Sequence, residues 1–124
     1  MITLPFPPSD LSAHAKGNSY YRKAALTKEW RDLAWATAMN ANLPKFPAGK
    51  AYTPEGDIPI TIRFYPPDYR GDRVNFPARC KAVIDGIAQA MGVNDARFVP
   101  RFEFHAPEKP GRVEISFSEQ GEVK

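Results

Sequence analysis

Hydrophobic residues alternate with polar ones in four short stretches, the pattern typical of β-strands that bury one face. The four stretches begin at Ile2, Ile58, Phe98 and Val113. Prolines follow the first two, and Pro100 inside the third predicts an edge strand or a bulge. The segment APEKPG then turns the chain, so we expect the third and fourth strands to form a hairpin.

Two longer stretches carry apolar residues at helical spacing. In the first, Thr27 can cap a helix whose apolar face runs over residues 30–41. In the second, the apolar stripe runs over residues 76–91, with Asn75 as the predicted cap and Gly92 as the predicted end.

The predicted elements follow one another in the order β-α-β-α-β-β. Because each strand alternates, one face of the sheet is buried and the other is more polar. We therefore expect one α/β (α+β) domain over residues 1–124, a small mixed four-stranded sheet with two helices packed on one face. This architecture serves many functions, so it does not indicate which one applies here.

The composition suits such a domain, with 43% hydrophobic and 25% charged residues. The sequence contains no apolar run of the ~20 residues that span a bilayer and no apparent signal peptide, so we expect a soluble cytoplasmic protein without a membrane partner. The net charge is +3, and residues 1–50 hold seven basic and three acidic side chains, which suits a polyanion such as nucleic acid. The single cysteine, Cys80, lies in the second apolar stripe and is read as a small core residue rather than a nucleophile.

Candidate chemistry surrounds the second helix. Asp72 precedes it in the stretch GDRVNF, Lys81 and Asp85 share one helical face, and Asp95 follows the helix. Converging carboxylates can hold Mg²⁺ through hard oxygen ligands, and a nearby lysine can steady a phosphate. The neighbouring arginines suit a phosphodiester backbone; they are Arg70, Arg73, Arg79 and Arg97.

Each of these residues also has a simpler structural explanation. Asp72 and Asp95 can shape turns, and Asn75 can cap the helix. Lys81 and Asp85 can form an i,i+4 pair on a solvated face. Spacing alone does not choose between a site and these local roles.

The ordered set of motifs resembles the RusA-like Holliday junction resolvases, endodeoxyribonucleases of bacteria and phages or prophages. That family shows Asp-x-Asp-Asn, then a helix with lysine and an aspartate four residues on, then an Asp-Asp pair before a strand. In the run GDRVNFPARCKAVIDGIAQAMGVNDARF the matching residues are Asp72, Asn75, Lys81, Asp85 and Asp95. The N-terminal ITLPFPPS and NSYYRK are similar to the family's opening strand, proline cluster and aromatic-basic segment.

The resemblance implies a homodimer that binds four-way DNA junctions and cuts them by Mg²⁺-dependent hydrolysis, with Mn²⁺ as a substitute. It implies that Asp72 and Asp95 bind the metal, that Lys81 is catalytic with them, and that Asn75 and Asp85 support the site. Basic and aromatic residues would contact DNA: Tyr21, Arg22, Lys23, Arg70, Arg73 and Arg79.

Two positions depart from the family pattern. Val74 replaces the second aspartate of Asp-x-Asp-Asn, and Asn94 replaces the first acid of the Asp-Asp pair. Valine cannot ligate a metal, and asparagine offers only a neutral oxygen. The alternative is therefore a branched-DNA-binding protein of the same fold with weakened metal binding and impaired cleavage.

Overall fold

A computed structural model describes residues 1–12 and 19–117, with the backbone alone for residues 19 and 20. Its strands and α-helices follow the predicted order, which confirms the mixed α+β fold. The elements are β1 (Ile2–Pro5), α1 (Ser19–Met39), β2 (Ile58–Tyr65), α2 (Lys81–Met91), β3 (Phe98–Phe104) and β4 (Arg112–Phe117). In the described part of the chain, no helix is both long and apolar enough to cross a membrane.

The four strands form one mixed sheet in the order β1-β4-β2-β3. Strand β3 lies at the edge of the sheet, as Pro100 predicts, because an edge position tolerates a residue without an N–H. It runs parallel to its neighbour β2. The expected hairpin between β3 and β4 is wrong, since β4 pairs antiparallel with both β1 and β2. The connecting segment crosses the end of β2, where the Glu108 N–H donates to the Pro66 carbonyl over 2.9 Å, and so delivers β4 to the far side of β2.

One face of the sheet supplies the core together with the two helices. On this face of β1, β2 and β4 every strand residue before Phe117 is at most 3% exposed, and Phe117 is partly buried, which explains the alternation of these strands. Helix α1 contributes Trp30, Ala34 and Ala38, and α2 contributes Val83 and Ile87. The helices therefore pack on the sheet and on each other.

Helix α1 begins at Ser19, eight residues before the predicted cap at Thr27. A cap at Thr27 leaves the preceding residues outside the helix, yet the residues just before it are strong helix formers: Arg22, Lys23, Ala24, Ala25 and Leu26. Leu26 also packs partly buried against the core, so tertiary contact supports the extra turns.

Helices α1 and α2 cross closely at Gly86. A β-carbon at this position would lie 2.3 Å from the Arg31 carbonyl oxygen and 3.0 Å from the Ala34 β-carbon. Only glycine lets the two backbones approach this closely. The crossing fixes the position of α2, which carries two of the candidate site residues.

Candidate functional site

Lys81, Asp85 and Asp95 meet at the start of α2. The Lys81 ammonium donates to Asp95 Oδ2 over 2.7 Å and to Asp85 Oδ1 over 2.9 Å. Asp85 lies one helical turn beyond Lys81, and Asp95 begins the short 3-10 turn Asp95–Arg97 that leads into β3. The fold thus brings together three of the predicted site residues, from two separate segments.

The contact between Lys81 and Asp95 favours the charged form of both groups. The hydrogen bond from Lys81 is the largest cause that lowers the pKa of Asp95 below the ordinary aspartate value, and the hydrogen bond with Asp85 is the second. The pKa of Lys81 is raised, mainly by its hydrogen bond to Asp95 and secondly by its hydrogen bond to Asp85. Because Lys81 is 69% exposed at its side chain, solvent screens these pairs, and we expect each to contribute only some tenths of a kcal/mol to stability. The cluster therefore contributes little to the stability of the fold.

Asp72 shapes the loop that precedes α2. Its carboxylate Oδ1 accepts the Val74 N–H over 3.2 Å, and its carbonyl accepts the Asn75 N–H over 2.9 Å. Asp72 is therefore the cap of a 3-10 turn, Arg73–Asn75, and Asn75 is not the cap of α2 as predicted. A second 3-10 turn, Pro77–Cys80, lies between this loop and α2. Because the backbone of Cys80 departs from α-helical geometry, α2 begins only at Lys81.

The two departures from the resembled motif have different structural consequences. Val74 is 78% exposed, so it fills no core space and its side chain lies open to solvent. Asn94 uses its side-chain oxygen to accept the Ala96 N–H over 2.9 Å, a cap that an aspartate makes equally well. Valine at position 74 therefore has no visible packing role, whereas Asn94 still orders the turn that presents Asp95.

The arrangement fits a divalent metal only in part. Carboxylate oxygens are the donors Mg²⁺ prefers, and Asp72 and Asp95 supply that chemistry. Over residues 1–12 and 19–117, however, no group of three or more His, Cys, Asp or Glu side chains could hold a metal ion. Asp95 is already bound to a cation of the protein itself, the Lys81 ammonium. The Asp72–Asp95 metal pair therefore stays a prediction.

The aromatic-basic segment forms the first turns of α1. Arg22 pairs with Asp10 at 3.3 Å, and Lys23 donates to the Ser12 carbonyl over 2.9 Å. Tyr21 is 85% exposed and does not pack into the core. His14 and the side chain of Tyr20, the first tyrosine of NSYYRK, lie outside the described residues.

The arginines near the site differ in how they are engaged. Arg70 donates two hydrogen bonds to Asp68 Oδ2, from Nε over 3.2 Å and from Nη2 over 2.9 Å. Arg73 is exposed on the loop beside it. Arg97, expected near a phosphodiester, is 5% exposed and instead donates to the carbonyls of Gly56 and Pro47 over 2.8 and 2.7 Å. Arg97 thereby fastens the loop between α1 and β2, so the expectation that it faces DNA is wrong.

Cys80 is buried, which confirms its reading as a core residue. Burial raises the pKa of its thiol to about 12, so the reactive thiolate is scarce at neutral pH.

His105 directly follows β3, and it lies beside the loop after β2 rather than at the Lys81 cluster. Its ring stacks on Tyr65 with the centroids 4.6 Å apart, and it lines a cavity of about 40 Å³ next to the loop after β2. The signal that could have located it is the parallel pairing of β2 and β3, because the C-terminal ends of parallel strands meet at one edge.

No protein-family model matches this sequence. An uncharacterized protein of Xylella fastidiosa (strain Temecula1) is 37% identical over 99 residues, which cover 79% of this chain and 61% of the relative. The chain thus spans about three fifths of the length of the curated relative it matches. The relative's name states no activity.

Proposed function

We propose that this protein is a structure-selective endodeoxyribonuclease that resolves four-way DNA junctions as a homodimer, similar to the RusA-like resolvases. The observation that carries the proposal is the contact of Lys81 with both Asp85 and Asp95. These residues match three positions of the resembled motif. Lys81 and Asp95 are 14 positions apart, so sequence proximity does not account for their meeting.

The side chains of this cluster have states that suit phosphodiester hydrolysis. Asp95 is ionised and Lys81 is protonated at neutral pH, and their contact favours both charges further by lowering the pKa of Asp95 and raising the pKa of Lys81. A protonated Lys81 can stabilise negative charge on a phosphate in the transition state. Asp72 and Asp95 would hold Mg²⁺, which when bound lowers the pKa of water and neutralises phosphate charge.

A second candidate function is branched-DNA binding without cleavage. The exposed Val74 favours it, because this position offers no oxygen ligand where the resembled family has an aspartate. The count of acidic side chains favours it as well, because no group of three forms in the part of the chain that the structure describes. Binding by this protein would then depend on its cationic side chains and fall steeply with salt.

The test incubates the purified protein with a synthetic four-way junction and a linear duplex of the same sequence, over a range of Mg²⁺ and Mn²⁺ concentrations. Metal-dependent nicking of the junction supports the nuclease, and salt-sensitive junction binding without nicks supports the binder. Equal affinity for junction and linear duplex contradicts both proposals.

Val74→Asp, with Val74→Asn as the uncharged control, tests the missing carboxylate. We expect Val74→Asp to raise divalent-metal affinity and any cleavage, since it adds a hard anionic ligand, while Val74→Asn changes neither. Because Val74 is exposed, both variants should keep the fold. Identical metal binding by the two variants would show that position 74 does not face the site.

A further inference from the structure

Arg79 carries a half-buried guanidinium whose donors are mostly unused. It lies over the rings of Phe76 and Phe6, with its central carbon 5.0 and 5.7 Å from their centroids. Its Nη1 donates to the Pro7 carbonyl over a long 3.3 Å. Its Nε is buried without a hydrogen-bond partner among the described residues. A guanidinium has five N–H donors, and besides the enclosed Nε–H and the one bonded Nη1–H, the three other Nη N–H groups make no hydrogen bond to the described residues.

The charge of Arg79 also lacks a counterion. No carboxylate within residues 1–12 and 19–117 forms an ion pair with it, whereas Arg70 and Arg112 each bind acidic side chains. Burial lowers the pKa of Arg79, yet arginine remains charged at any physiological pH. A partly desolvated cation without a partner is costly, and a bound anion relieves that cost.

Gly71 leaves the approach to this guanidinium open. Its φ of +90° is a conformation that favours glycine. A β-carbon here would lie 3.6 Å from Arg79 Nη2 and 3.3 Å from Phe76 Cε1, so a side chain would fill the space in front of Arg79. The glycine of GDRVNF thus serves access as well as the turn.

Beside Gly71 lies the cavity of about 40 Å³, which has room for roughly three water molecules at ~10–15 Å³ each, the scale of one phosphate group. Its lining is rich in cationic or titratable side chains: Arg70, Arg73 and His105, with Gly71 and Phe76 between them. The acid in the lining, Asp68, is already neutralised by Arg70. The surroundings therefore favour an anion.

We infer that Arg79, reached past Gly71, forms with Arg73 a subsite for one backbone phosphate of a nucleic acid. The planar fork of the guanidinium suits two phosphate oxygens at once. This inference rests on the proposed function for its ligand, while the anion subsite itself stands on the geometry of Arg79. The two arginines belong to the two 3-10 turns that precede α2, Arg73–Asn75 and Pro77–Cys80.

The experiment follows the arginine Nε–H signals of the ¹⁵N-labelled protein by NMR while inorganic phosphate is added. Arg79→Met identifies the Arg79 signal and removes the charge while keeping the apolar packing. We expect the Arg79 signal to shift with phosphate and the Arg101 signal, from the open face of the sheet, to stay in place. A static Arg79 signal overturns the inference.

A second measurement uses the four-way junction over a range of salt concentrations. Arg79→Met should reduce the slope of log K against log salt by about one, the effect of one lost phosphate contact. Arg101→Gln is the charge-matched control and should leave the slope unchanged. Should Arg79→Met fold poorly, Arg79→Lys keeps the charge but loses the fork, and it should weaken binding while preserving the slope.

The two measurements separate the two ideas. A phosphate shift without any junction binding by the wild type overturns the proposed function and the nucleic-acid ligand together, and identifies a site for free phosphate. If the wild type binds the junction and Arg79→Met shows the same salt slope, the subsite is overturned and the proposed function still stands. A shift together with the reduced slope supports both.

Discussion

Replacing Gly86 with alanine tests the close crossing of α1 and α2, which positions the helix that carries Lys81 and Asp85. On an isolated helix this change is favourable, since alanine exceeds glycine in helix propensity by about 1 kcal/mol. At the crossing, however, the new β-carbon would meet the Arg31 carbonyl oxygen at 2.3 Å and the Trp35 backbone nitrogen at 3.0 Å. These neighbours are backbone atoms, so no side-chain rotation relieves the contact.

The expected magnitude follows from these opposing terms. Real β-carbon contacts are essentially never shorter than 3.0 Å, so the helices must separate by at least 0.7 Å at this point. Overpacking of a tight core costs typically about 1–3 kcal/mol, and the upper end applies where backbone must move. After the gain in propensity, we expect Gly86→Ala to lower the free energy of unfolding by about 2 kcal/mol.

Urea unfolding, followed by tryptophan fluorescence, measures this change, because Trp30 is buried between α1 and the core. The control is the pair Gln89→Ala and Gln89→Gly at an exposed position of α2, whose difference gives the helix's own preference for alanine over glycine. A Gly86→Ala variant that is as stable as the wild type, or more stable, would refute the close-crossing argument.

Three further predictions concern single side chains. Cys80 should react with a thiol reagent at pH 8 far more slowly in the native protein than in urea, because burial raises its pKa to about 12. Arg97→Met should lower the free energy of unfolding by about 2 kcal/mol, since two loop carbonyls lose their donor. Lys81→Met should raise the pKa of Asp95 toward its ordinary value, as followed by carboxyl NMR. Because that pKa is lowered in the folded state, the stabilisation from Asp95 is present above the ordinary aspartate pKa of about 3.9 and is lost as pH falls through the lowered value.

Each of these has a clear contrary result. Equal labelling rates of native and unfolded Cys80 would contradict its burial. An unchanged urea midpoint for Arg97→Met would show that the loop carbonyls find other donors. An Asp95 titration that ignores Lys81→Met would mean that their contact does not persist in solution. For Arg97, Arg101→Met serves as the control for loss of charge at an exposed position.

Local patterns predicted the strands well because alternation reports directly which side chains are buried. Residues at every second position of β2 are buried, and Pro100 does lie on an edge strand. The pattern failed at the start of α1, where the predicted cap Thr27 lies inside the helix, and at Asn75, where the predicted cap of α2 is the last residue of a 3-10 turn. Propensity does not reveal which of several possible caps the chain uses.

Strand pairing was beyond the local pattern for a physical reason. Alternation shows that β4 has a buried face, but its neighbours depend on where the preceding segment crosses the sheet, and here it crosses the end of β2. The roles of arginines were hidden in the same way. Nothing in the sequence distinguishes Arg79 from Arg97. In the structure Arg97 donates to two carbonyls, whereas the Nε of Arg79 has no partner among the described residues.

The sequence by itself determined the order of elements, the buried faces of β1, β2 and β4 and the spacing that places Lys81 one turn before Asp85, because these depend on neighbours along the chain. In β3 only Phe98 is buried, so its alternation did not report burial. The tertiary structure alone decided that β4 lies between β1 and β2, that Asp95 returns to Lys81, and that Gly71 opens a path to Arg79. Those contacts join distant segments, and their geometry is set by how the helices and strands pack as a whole.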